Sequence, residues 1–313
     1  MPAFFFAMTC SSTLRCFALG LAAVGALSAA NVHPRMLLLD GTVVGTQIVV
    51  VGERGTILRS PDQSVTWLPA TVPTTATLTG VSFAPGKSQG WAVGHDALIL
   101  ASPDAGATWR KQWQGENLSD SFLDVLALDT QHVVAIGAYG LFVASADGGK
   151  TWVRRKIIDE DFHLNRITRG PAGDLYIAGE HGTLLRSADQ GATWQRIAAP
   201  YDGSFYGILP LDAQTLVAYG LRGRIYRSSD NGASWTLVPN EQRVLIATAA
   251  KLADGTIVFA GQARTGFVSR DGGRTVAVWE AAATAPGIAE LLEVSDGTPL
   301  VLGEAGATHL PVR

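Results

Sequence analysis

The hydrophobic positions of this chain fall into short runs that are typical of β-strands. Residues 48–51, 140–144 and 175–178 are examples, and each run is rich in β-branched, aliphatic or aromatic side chains. Glycine, aspartate and proline bound the runs, as turn residues commonly bound strands. Outside the first thirty residues, no segment shows the 3.6-residue spacing of an amphipathic helix. The pattern predicts an all-β fold.

An octapeptide motif recurs six times between these runs. Its best copies read Ser-x-Asp-x-Gly-x-Thr-Trp, at residues 102–109, 145–152 and 187–194. Three further copies occupy residues 60–67, 228–235 and, in a more divergent form, 269–276. The aspartates step by 41 to 43 residues and are Asp62, Asp104, Asp147, Asp189, Asp230 and Asp271. The accompanying tryptophans are Trp67, Trp109, Trp152, Trp194 and Trp235.

A second marker recurs in phase with the motif. It is a glycine that closes a strand-like run, at Gly52, Gly94, Gly137, Gly179, Gly220, Gly261 and Gly303. A unit of roughly 40 residues with four short strands has the size of one propeller blade. The spacing therefore predicts a seven-bladed β-propeller in a single domain over residues 31–313. The final unit, residues 286–313, shows three strands, and we expect a segment near residues 36–39 to complete it by pairing the two termini, which removes an exposed edge.

The octapeptide has a structural interpretation that needs no active site. An aspartate at a tight turn accepts backbone N–H groups two or three residues later, and glycine permits the positive φ that such a turn requires. The tryptophan can then pack between blades. A catalytic group would normally occur once, whereas this motif occurs six times. We therefore expect its aspartates and tryptophans to be structural.

The first thirty residues have the layout of a signal peptide. Arg15 is their only charge, an apolar run covers residues 16–27, and small residues follow at 28–30. The run is shorter than the roughly 20 residues that span a membrane, so cleavage before Asn31 is favoured over an uncleaved anchor. Both cysteines, Cys10 and Cys16, lie in this segment. The exported chain would then contain neither a disulfide nor a cysteine metal site.

Composition and charge exclude several classes of function. The 313 residues are 47% hydrophobic and 16% charged, which is typical of a folded domain rather than a disordered one. The formal net charge is −3, with no long run of like charges, so nucleic-acid binding is not expected.

Candidate binding residues lie in the predicted turns between the second and third strands of each blade. In a propeller these turns share one face with the links between blades, and the octapeptides lie on the other. Binding residues commonly lie on loops that a rigid scaffold positions, although solvated turn residues need no function. The candidates are Arg54, His95, Asp96, Tyr139, Glu180, His181, Arg222, Arg224, Arg264 and Glu304, bordered by loops 157–163 and 200–206.

Signals for catalysis and for cofactors are weak. The chain has no glycine-rich phosphate loop and no serine nucleophile elbow. His95 and His181 lack a third ligand, so neither a metal ion nor another cofactor is expected. A glycosidase would need two carboxyl groups, or a tyrosine activated by a carboxylate. Tyr139, Tyr201, Tyr206 and Glu180 are the available groups.

The octapeptide resembles the Asp box, or BNR repeat, which occurs in sialidases and in many proteins that are not enzymes. The longer unit Gly-x-x-Gly-x-x-x-x-Ser-x-Asp-x-Gly-x-Thr-Trp is similar to that of the photosystem II stability/assembly factor family. It is found at residues 52–67, 137–152, 179–194 and 220–235. Members of that family in cyanobacteria and chloroplasts are lumenal propellers that bind early intermediates of photosystem II. Their arginine-rich surface has partial counterparts in Arg59, Arg186 and Arg227, whereas Ala101, Ala144 and Val268 stand in other copies.

This resemblance implies an exported, non-enzymatic platform that binds a membrane protein or an assembly intermediate of a membrane complex. Its location would be the periplasm, or the thylakoid lumen in a photosynthetic organism, with peripheral membrane association allowed. Two alternatives stay open. One is an accessory periplasmic subunit of an envelope transporter. The other is a sialidase-like glycoside hydrolase or a carbohydrate-binding protein, although the Arg-Ile-Pro segment of sialidases has no match near residues 33–36.

Overall fold

Seven antiparallel sheets follow one another along the chain in the computed structural model, which describes residues 36–294 and 297–312. Six sheets have four strands and the last has three within these residues. The predicted seven-bladed β-propeller is confirmed. Helical structure in the described residues is limited to short 3-10 turns, at Glu53–Gly55, Ala138–Gly140, Leu221–Gly223 and Glu280–Thr284. The predicted leader lies outside the described residues.

Each blade is a meander in chain order. The first contains β1 (Leu38–Val44), β2 (Gln47–Gly52), β3 (Ile57–Ser60) and β4 (Leu68–Pro69), and the second contains β5 (Leu78–Phe83), β6 (Gly90–Gly94), β7 (Leu98–Ser102) and β8 (Arg110–Gln114). The third contains β9 (Phe122–Ala127), β10 (Val133–Gly137), β11 (Phe142–Ser145) and β12 (Val153–Arg154). The fourth contains β13 (Leu164–Arg169), β14 (Leu175–Gly179), β15 (Leu184–Ser187) and β16 (Gln195–Arg196).

The remaining blades repeat this order. The fifth contains β17 (Phe205–Pro210), β18 (Leu216–Gly220), β19 (Ile225–Ser228) and β20 (Thr236–Leu237). The sixth contains β21 (Ile246–Lys251), β22 (Ile257–Gly261), β23 (Gly266–Ser269) and β24 (Ala277–Val278). The seventh contains β25 (Ile288–Glu293), β26 (Pro299–Gly303) and β27 (Gly306–His309).

Burial explains why the second strands read as continuous apolar runs. In β6, β10, β14, β18, β22 and β26, every residue is buried, because both faces of the strand are covered by neighbouring blades. Five fourth strands have only two residues, most of them exposed. Short, exposed edges of this kind limit pairing with other chains.

The hydrophobic core is a ring of layers between blades. Seven apolar clusters occur among the described residues, and each contains residues of two neighbouring blades. In one of them, Val49 of the first blade packs with Leu78 and Leu100 of the second. A blade therefore buries its apolar faces only when both neighbours are present.

The closure of the ring differs from the sequence-based expectation. Leu38 and Leu39 belong to β1, the innermost strand of the first blade, and pair with β2 instead of completing the last blade. The prediction for the segment near residues 36–39 is therefore wrong. Leu38 occupies the same place in its blade as Leu78 does in the next. Its packing against Leu300 and Leu302 joins the first and last blades.

Each octapeptide forms the turn between the third and fourth strands. In the fourth blade, the Ser187 hydroxyl donates to Asp189 Oδ1 at 2.7 Å and accepts the Gly191 N–H at 2.7 Å. The amide and hydroxyl of Thr193 donate to Asp189 Oδ1 and Oδ2 at 2.8 and 2.6 Å. Gly191 has a φ of +87°, a conformation that favours glycine. The aspartate thus holds both ends of the turn together.

These hydrogen bonds make the turns sensitive to acid. The hydroxyl and amide of Thr193 lower the pKa of Asp189 to about 2, and the same contacts act on Asp147, Asp230 and Asp271. A carboxyl whose pKa is lower in the folded state stabilises the fold above its unfolded pKa of about 3.9. That contribution disappears as the pH falls through about 2.

Replacing Asp189 by alanine is expected to lower the free energy of unfolding near neutral pH, because the turn loses its acceptors. The loss is expected to shrink toward pH ~2, where the wild-type carboxyl is protonated. Urea unfolding across this pH range measures both effects. Asp161→Ala, at an exposed position outside the turns, is the matched control. An equal loss in the two variants would contradict the role of Asp189.

Candidate functional site

The turns between the second and third strands lie against the links that join the blades. The residue after the closing glycine donates its N–H to the link that enters the blade, as in Ala138 N to Ser121 O at 2.9 Å. Two residues later, Gly140 N donates to Phe162 O, in the link that leaves the blade, at 2.8 Å. These turns and links form one face of the propeller, called here the turn face.

The seven closing glycines permit this close approach. A Cβ on Gly137 would lie 2.1 Å from Ser121 O, and one on Gly261 would lie 1.9 Å from Leu245 O. Equivalent contacts of 1.9 to 2.4 Å occur at Gly52, Gly94, Gly179, Gly220 and Gly303. Any larger residue would therefore push the turn away from its link. The recurrence of this marker has a steric cause.

The residues at the tips of the turns are presented to solvent in a fixed conformation. Left-handed φ values of +49° to +60° occur at Arg54, Asp96, Tyr139, His181, Arg222 and Arg264. Such a conformation costs a residue other than glycine roughly 1–2 kcal/mol, so the surrounding hydrogen bonds must hold it. The predicted candidates Arg54, His95, Tyr139, His181, Arg222 and Arg264 are exposed, while Glu180 and Arg224 are half-buried. All of them lie on the turn face.

Blades three and four bring several of these residues into contact. The ring of Tyr139 meets His163 edge to face, with centroids 4.8 Å apart, and Phe162 stacks on His181 at 4.4 Å. Glu180 holds the link between blades three and four in place, because its Oε2 accepts the His163 N–H at 3.0 Å. We call Tyr139, Phe162, His163 and His181 the aromatic ridge. It consists of two ring contacts on blades three and four and the link between them, and Tyr139 is 66% exposed.

Other candidates are more dispersed. Arg222 and Arg224 line one cavity with Arg243, a residue that the sequence did not single out. Arg264 donates from Nη1 to Ala283 O at 3.0 Å. No ion pair or ring contact joins Arg54 or His95 to the other candidates within the described residues. The turn face is therefore one surface with local clusters rather than one compact site.

A second ionisable cluster, which was not predicted, lies on the propeller axis. It contains Asp40, Asp124, Arg166 and Glu290, which come from blades one, three, four and seven and occupy equivalent positions in their innermost strands. Arg166 Nη2 lies 2.5 Å from Glu290 Oε2, and its Nε lies 3.6 Å from Asp124 Oδ2. The sequence does carry a signal for this cluster. Its four residues stand at one position of the repeat, which Gly80, Gly207 and Thr248 occupy in the other three blades.

Burial dominates the electrostatics of this axial cluster. It raises the pKa of Asp124 to about 6 and that of Asp40 well above its ordinary value, although the Arg166 charge opposes both shifts. Backbone N–H groups of Val81 and Ile167 donate to the two carboxylates at 2.7 and 2.9 Å. Arg166 is the single cation among three acids in the cluster. Its guanidinium group thus lies within ion-pair distance of carboxyl groups from three other blades.

Two further features are absent from the residues that the structure describes. Within residues 36–294 and 297–312, no group of three or more His, Cys, Asp or Glu side chains is arranged to hold a metal ion. No helix in that part of the chain is long and apolar enough to cross a membrane.

Comparison with known proteins shows which family this chain resembles. The sequence model of the family described as photosynthesis system II assembly factor YCF48 matches residues 110–258. The sequence thus resembles photosystem II stability/assembly factors. The chloroplast factor HCF136 of rice is 26% identical over 185 residues, which cover 56% of this chain and 43% of the rice protein. The Arabidopsis thaliana factor is also 26% identical, over 50% of this chain and 40% of its own length. The matches thus span less than half of these curated relatives.

Solved structures agree on the architecture. A structure of YCF48 bound to a D1 peptide superposes with a TM-score of 0.74 at 20% identity, covering 91% of this chain and 94% of that chain. YCF48 from Cyanidioschyzon merolae gives a TM-score of 0.73 at 17% identity, covering 89% and 96%. The WD40 domain of Doa1 gives 0.71 at 13% identity, covering 90% and 95%. At these identities the likeness shows the fold alone.

The three arginines that match the arginine-rich surface of the assembly factors lie away from the turn face. Arg227 donates from Nε to Gly272 O in the octapeptide of the next blade at 2.8 Å. Arg186 pairs with Asp174 of its own blade at 2.5 Å. Arg59 has its Cδ near the site of Gly106, in the octapeptide of the next blade. In this propeller, these side chains pack within and between blades near the octapeptide turns.

Replacing Gly137 by alanine is expected to lower the free energy of unfolding by about 2–3 kcal/mol, because the new Cβ would overlap Ser121 O. Urea unfolding measures the loss. Gly45→Ala is the control, since Gly45 has a positive φ but nothing within 4 Å of a Cβ, so only conformational strain of about 1 kcal/mol is expected. If both variants lost the same amount, the close approach would not be the cause.

Replacing Arg166 by methionine is expected to cost about 3–5 kcal/mol near pH 8, because three buried carboxyl groups lose their cation. A carboxyl whose folded pKa is raised binds more protons in the folded state, so stability falls as the pH rises above about 4. The loss in the variant is therefore expected to be smaller near pH 5 than near pH 8. Arg169→Met, on the same strand but exposed, is the control. A loss independent of pH would contradict the electrostatic role.

Proposed function

We propose that this protein is an exported, non-catalytic propeller that binds a component of a membrane complex during its assembly, and that the partner docks on the turn face. The aromatic ridge carries this proposal. Large, exposed aromatic side chains held in one conformation lose little entropy on binding, and tyrosine is enriched among the residues that dominate interface energies. Tyr139 is both exposed and held edge-on against His163.

The relatives support binding to a membrane protein. The family is described as an assembly factor of photosystem II, and one structural neighbour is a YCF48 bound to a D1 peptide. The signal-peptide layout of residues 1–30 supports export to the periplasm, or to the thylakoid lumen in a photosynthetic cell. A partner with a membrane anchor and an exposed segment on that side of the membrane fits both features.

The tyrosines of the turn face support a role in binding rather than catalysis. A tyrosine nucleophile would need activation of its hydroxyl by a neighbouring base. For Tyr206, burial raises the pKa of the phenol, and the nearby Glu180 raises it further. Glu180 itself accepts the His163 N–H and so has a structural task. These groups favour an inert surface over a glycosidase site.

Site-specific crosslinking tests the proposal. A photoreactive phenylalanine analogue placed at Tyr139 of a tagged, exported copy is expected to capture one membrane protein or complex, identified by mass spectrometry. The same analogue at Val65, which is 74% exposed in the first octapeptide turn on the opposite face, is the control. The combined Tyr139→Ala and His181→Ala variant is expected to reduce co-purification of that partner at least about tenfold.

Two results would overturn this proposal. One is capture of the same membrane protein from position 65 but not from position 139. The other is capture from both positions of only the same abundant exported proteins, with co-purification unaffected by the double substitution.

A further inference from the structure

The ring of blades has one boundary that no link crosses within the described residues. It lies between the seventh blade and the first, and we call it the seam. At the other six boundaries, a segment of chain joins the two blades. In blades two to six, the turn also donates an N–H to the link that leaves the blade, as Gly182 N does to Gly203 O at 2.9 Å. The turn of the last blade makes no such bond within residues 36–294 and 297–312, so the seam depends on other contacts.

Side chains from both blades meet at the seam. Leu38 packs with Leu302, and Ser64 Oγ contacts His309 Nε2. The outer edge of β27 is uncovered, because Thr308 and His309 are exposed, whereas β3, β11, β15 and β19 are buried except for one half-buried residue each. In the part of the chain that the structure describes, the seam thus lacks both the link and the outer strand that support other boundaries. We therefore expect local opening of the ring to begin there.

Two acidic residues stand side by side at the seam. Asp40 of β1 and Glu290 of β25 occupy equivalent positions in the innermost strands of their blades. From the first blade to the seventh, this position holds Asp, Gly, Asp, Arg, Gly, Thr and Glu, so no other neighbouring pair is acidic on both sides. Arg166 comes from the fourth blade, opposite the seam in the order of the ring. Its Nη1 lies 3.8 Å from Asp40 Oδ1 and its Nη2 lies 2.5 Å from Glu290 Oε2, so one guanidinium bridges the seam.

Arg166 is the only charged partner that the axial carboxyl groups have besides one another among the described residues. The other groups that face them are the backbone N–H groups of Val81, Val125, Ile167 and Leu291, the hydroxyl of Thr248 and the phenol of Tyr219. Burial raises the pKa of Tyr219 to about 12, so this phenol stays neutral. One positive charge therefore faces three carboxyl groups that can ionise.

The charge of the axial cluster changes between pH 5 and pH 8. Burial raises the pKa of Asp124 to about 6 and also raises that of Asp40, against the charge of Arg166. The charge of Glu290, across the seam, raises the pKa of Asp40 further. When both aspartates carry protons, the cluster is neutral and Arg166 pairs with Glu290. When all three acids are ionised, two negative charges are uncompensated, which is strongly unfavourable in a buried site.

We propose that the seam is a pH-sensitive closure of the ring, shut while Asp40 and Asp124 carry protons and opened locally when both carboxyl groups ionise. In the ionised state, Asp40 and Glu290 repel each other across the boundary, and opening relieves the repulsion by admitting water to the axis. The first and last blades both contribute turns to the turn face, so closure at acid pH also sets the continuity of that face. This inference concerns the ring itself and does not depend on the proposed function.

Thiol labelling at two equivalent positions tests the proposal. In a chain with Cys10→Ser and Cys16→Ser, a single cysteine replaces either Leu38, at the seam, or Leu78, at the boundary between the first and second blades. Both leucines are fully buried, and each pairs with a closing glycine. The ratio of the two labelling rates with a small methanethiosulfonate cancels the effect of pH on the thiol, and global unfolding exposes both sites alike. The ratio of seam to control is expected to rise at least about tenfold from pH 5 to pH 8.

Two double variants assign the pH dependence. Asp40→Asn with Asp124→Asn imitates the protonated cluster and is expected to keep the ratio at its pH 5 value up to pH 8. Asp161→Asn with Asp202→Asn removes two exposed carboxyl groups outside the axis and is expected to show the wild-type rise. The octapeptide aspartates do not interfere in this range, because pKa values such as that of Asp189 lie near 2.

His309 needs a control of its own. It contacts Ser64 across the seam, and an imidazole titrates in the same range of pH. His309→Gln is expected to leave the rise in the labelling ratio unchanged. The proposal fails if the wild-type ratio is the same at pH 5 and pH 8, if the rise persists in the Asp40 and Asp124 double variant, or if it disappears in His309→Gln.

Hydrogen exchange of the unmodified chain decides the question if the double variant does not fold, as judged by circular dichroism. Exchange rates are corrected for their intrinsic dependence on pH. Faster exchange at pH 8 in β1 and β26, at the seam, than in β13 and β14 of the fourth blade would support the closure. Equal changes in the two pairs of strands, or no change, would overturn it.

Discussion

The close approach between each closing glycine and its link is the constraint on which the rest of the structure depends. At Gly52 and Gly303, as in the five blades between them, a link carbonyl occupies the space that a side chain would fill. The following N–H donates to that carbonyl, so the turn cannot shift without losing both the contact and the hydrogen bond. Each of the seven turns is thereby held against its link in the same way. A surface built on them is rigid although it consists of loops.

The two faces of the propeller divide stability and recognition between them. The octapeptide turns repeat the same hydrogen bonds in six blades, and arginines such as Arg227 extend toward the next turn. Repetition of this kind supports the ring. On the turn face the same backbone presents different side chains in each blade, including Tyr139, His181 and Arg222. Variation on a repeated scaffold is what selective binding of one partner requires.

The sequence predicted the fold well because its markers recur for steric reasons. Glycine at Gly137 or Gly261 cannot be replaced without a clash, and the aspartates of the octapeptides each satisfy several donors. The closure of the ring was predicted less well, because an apolar residue such as Leu38 suits both the innermost strand of the first blade and an outer strand of the last. Arg243 and the axial cluster were not predicted. Their residues lie close together only after blades distant in sequence meet, as Asp40 and Arg166 do across the ring.

The central claim is that the turn face is the binding face, and hydrogen exchange in a complex with the captured partner tests it most directly. The account predicts slower exchange in the links at residues 157–163 and 238–245, with no change in the octapeptide turns at residues 102–109 and 187–194. Protection of the octapeptide turns together with unchanged exchange in those links would contradict it.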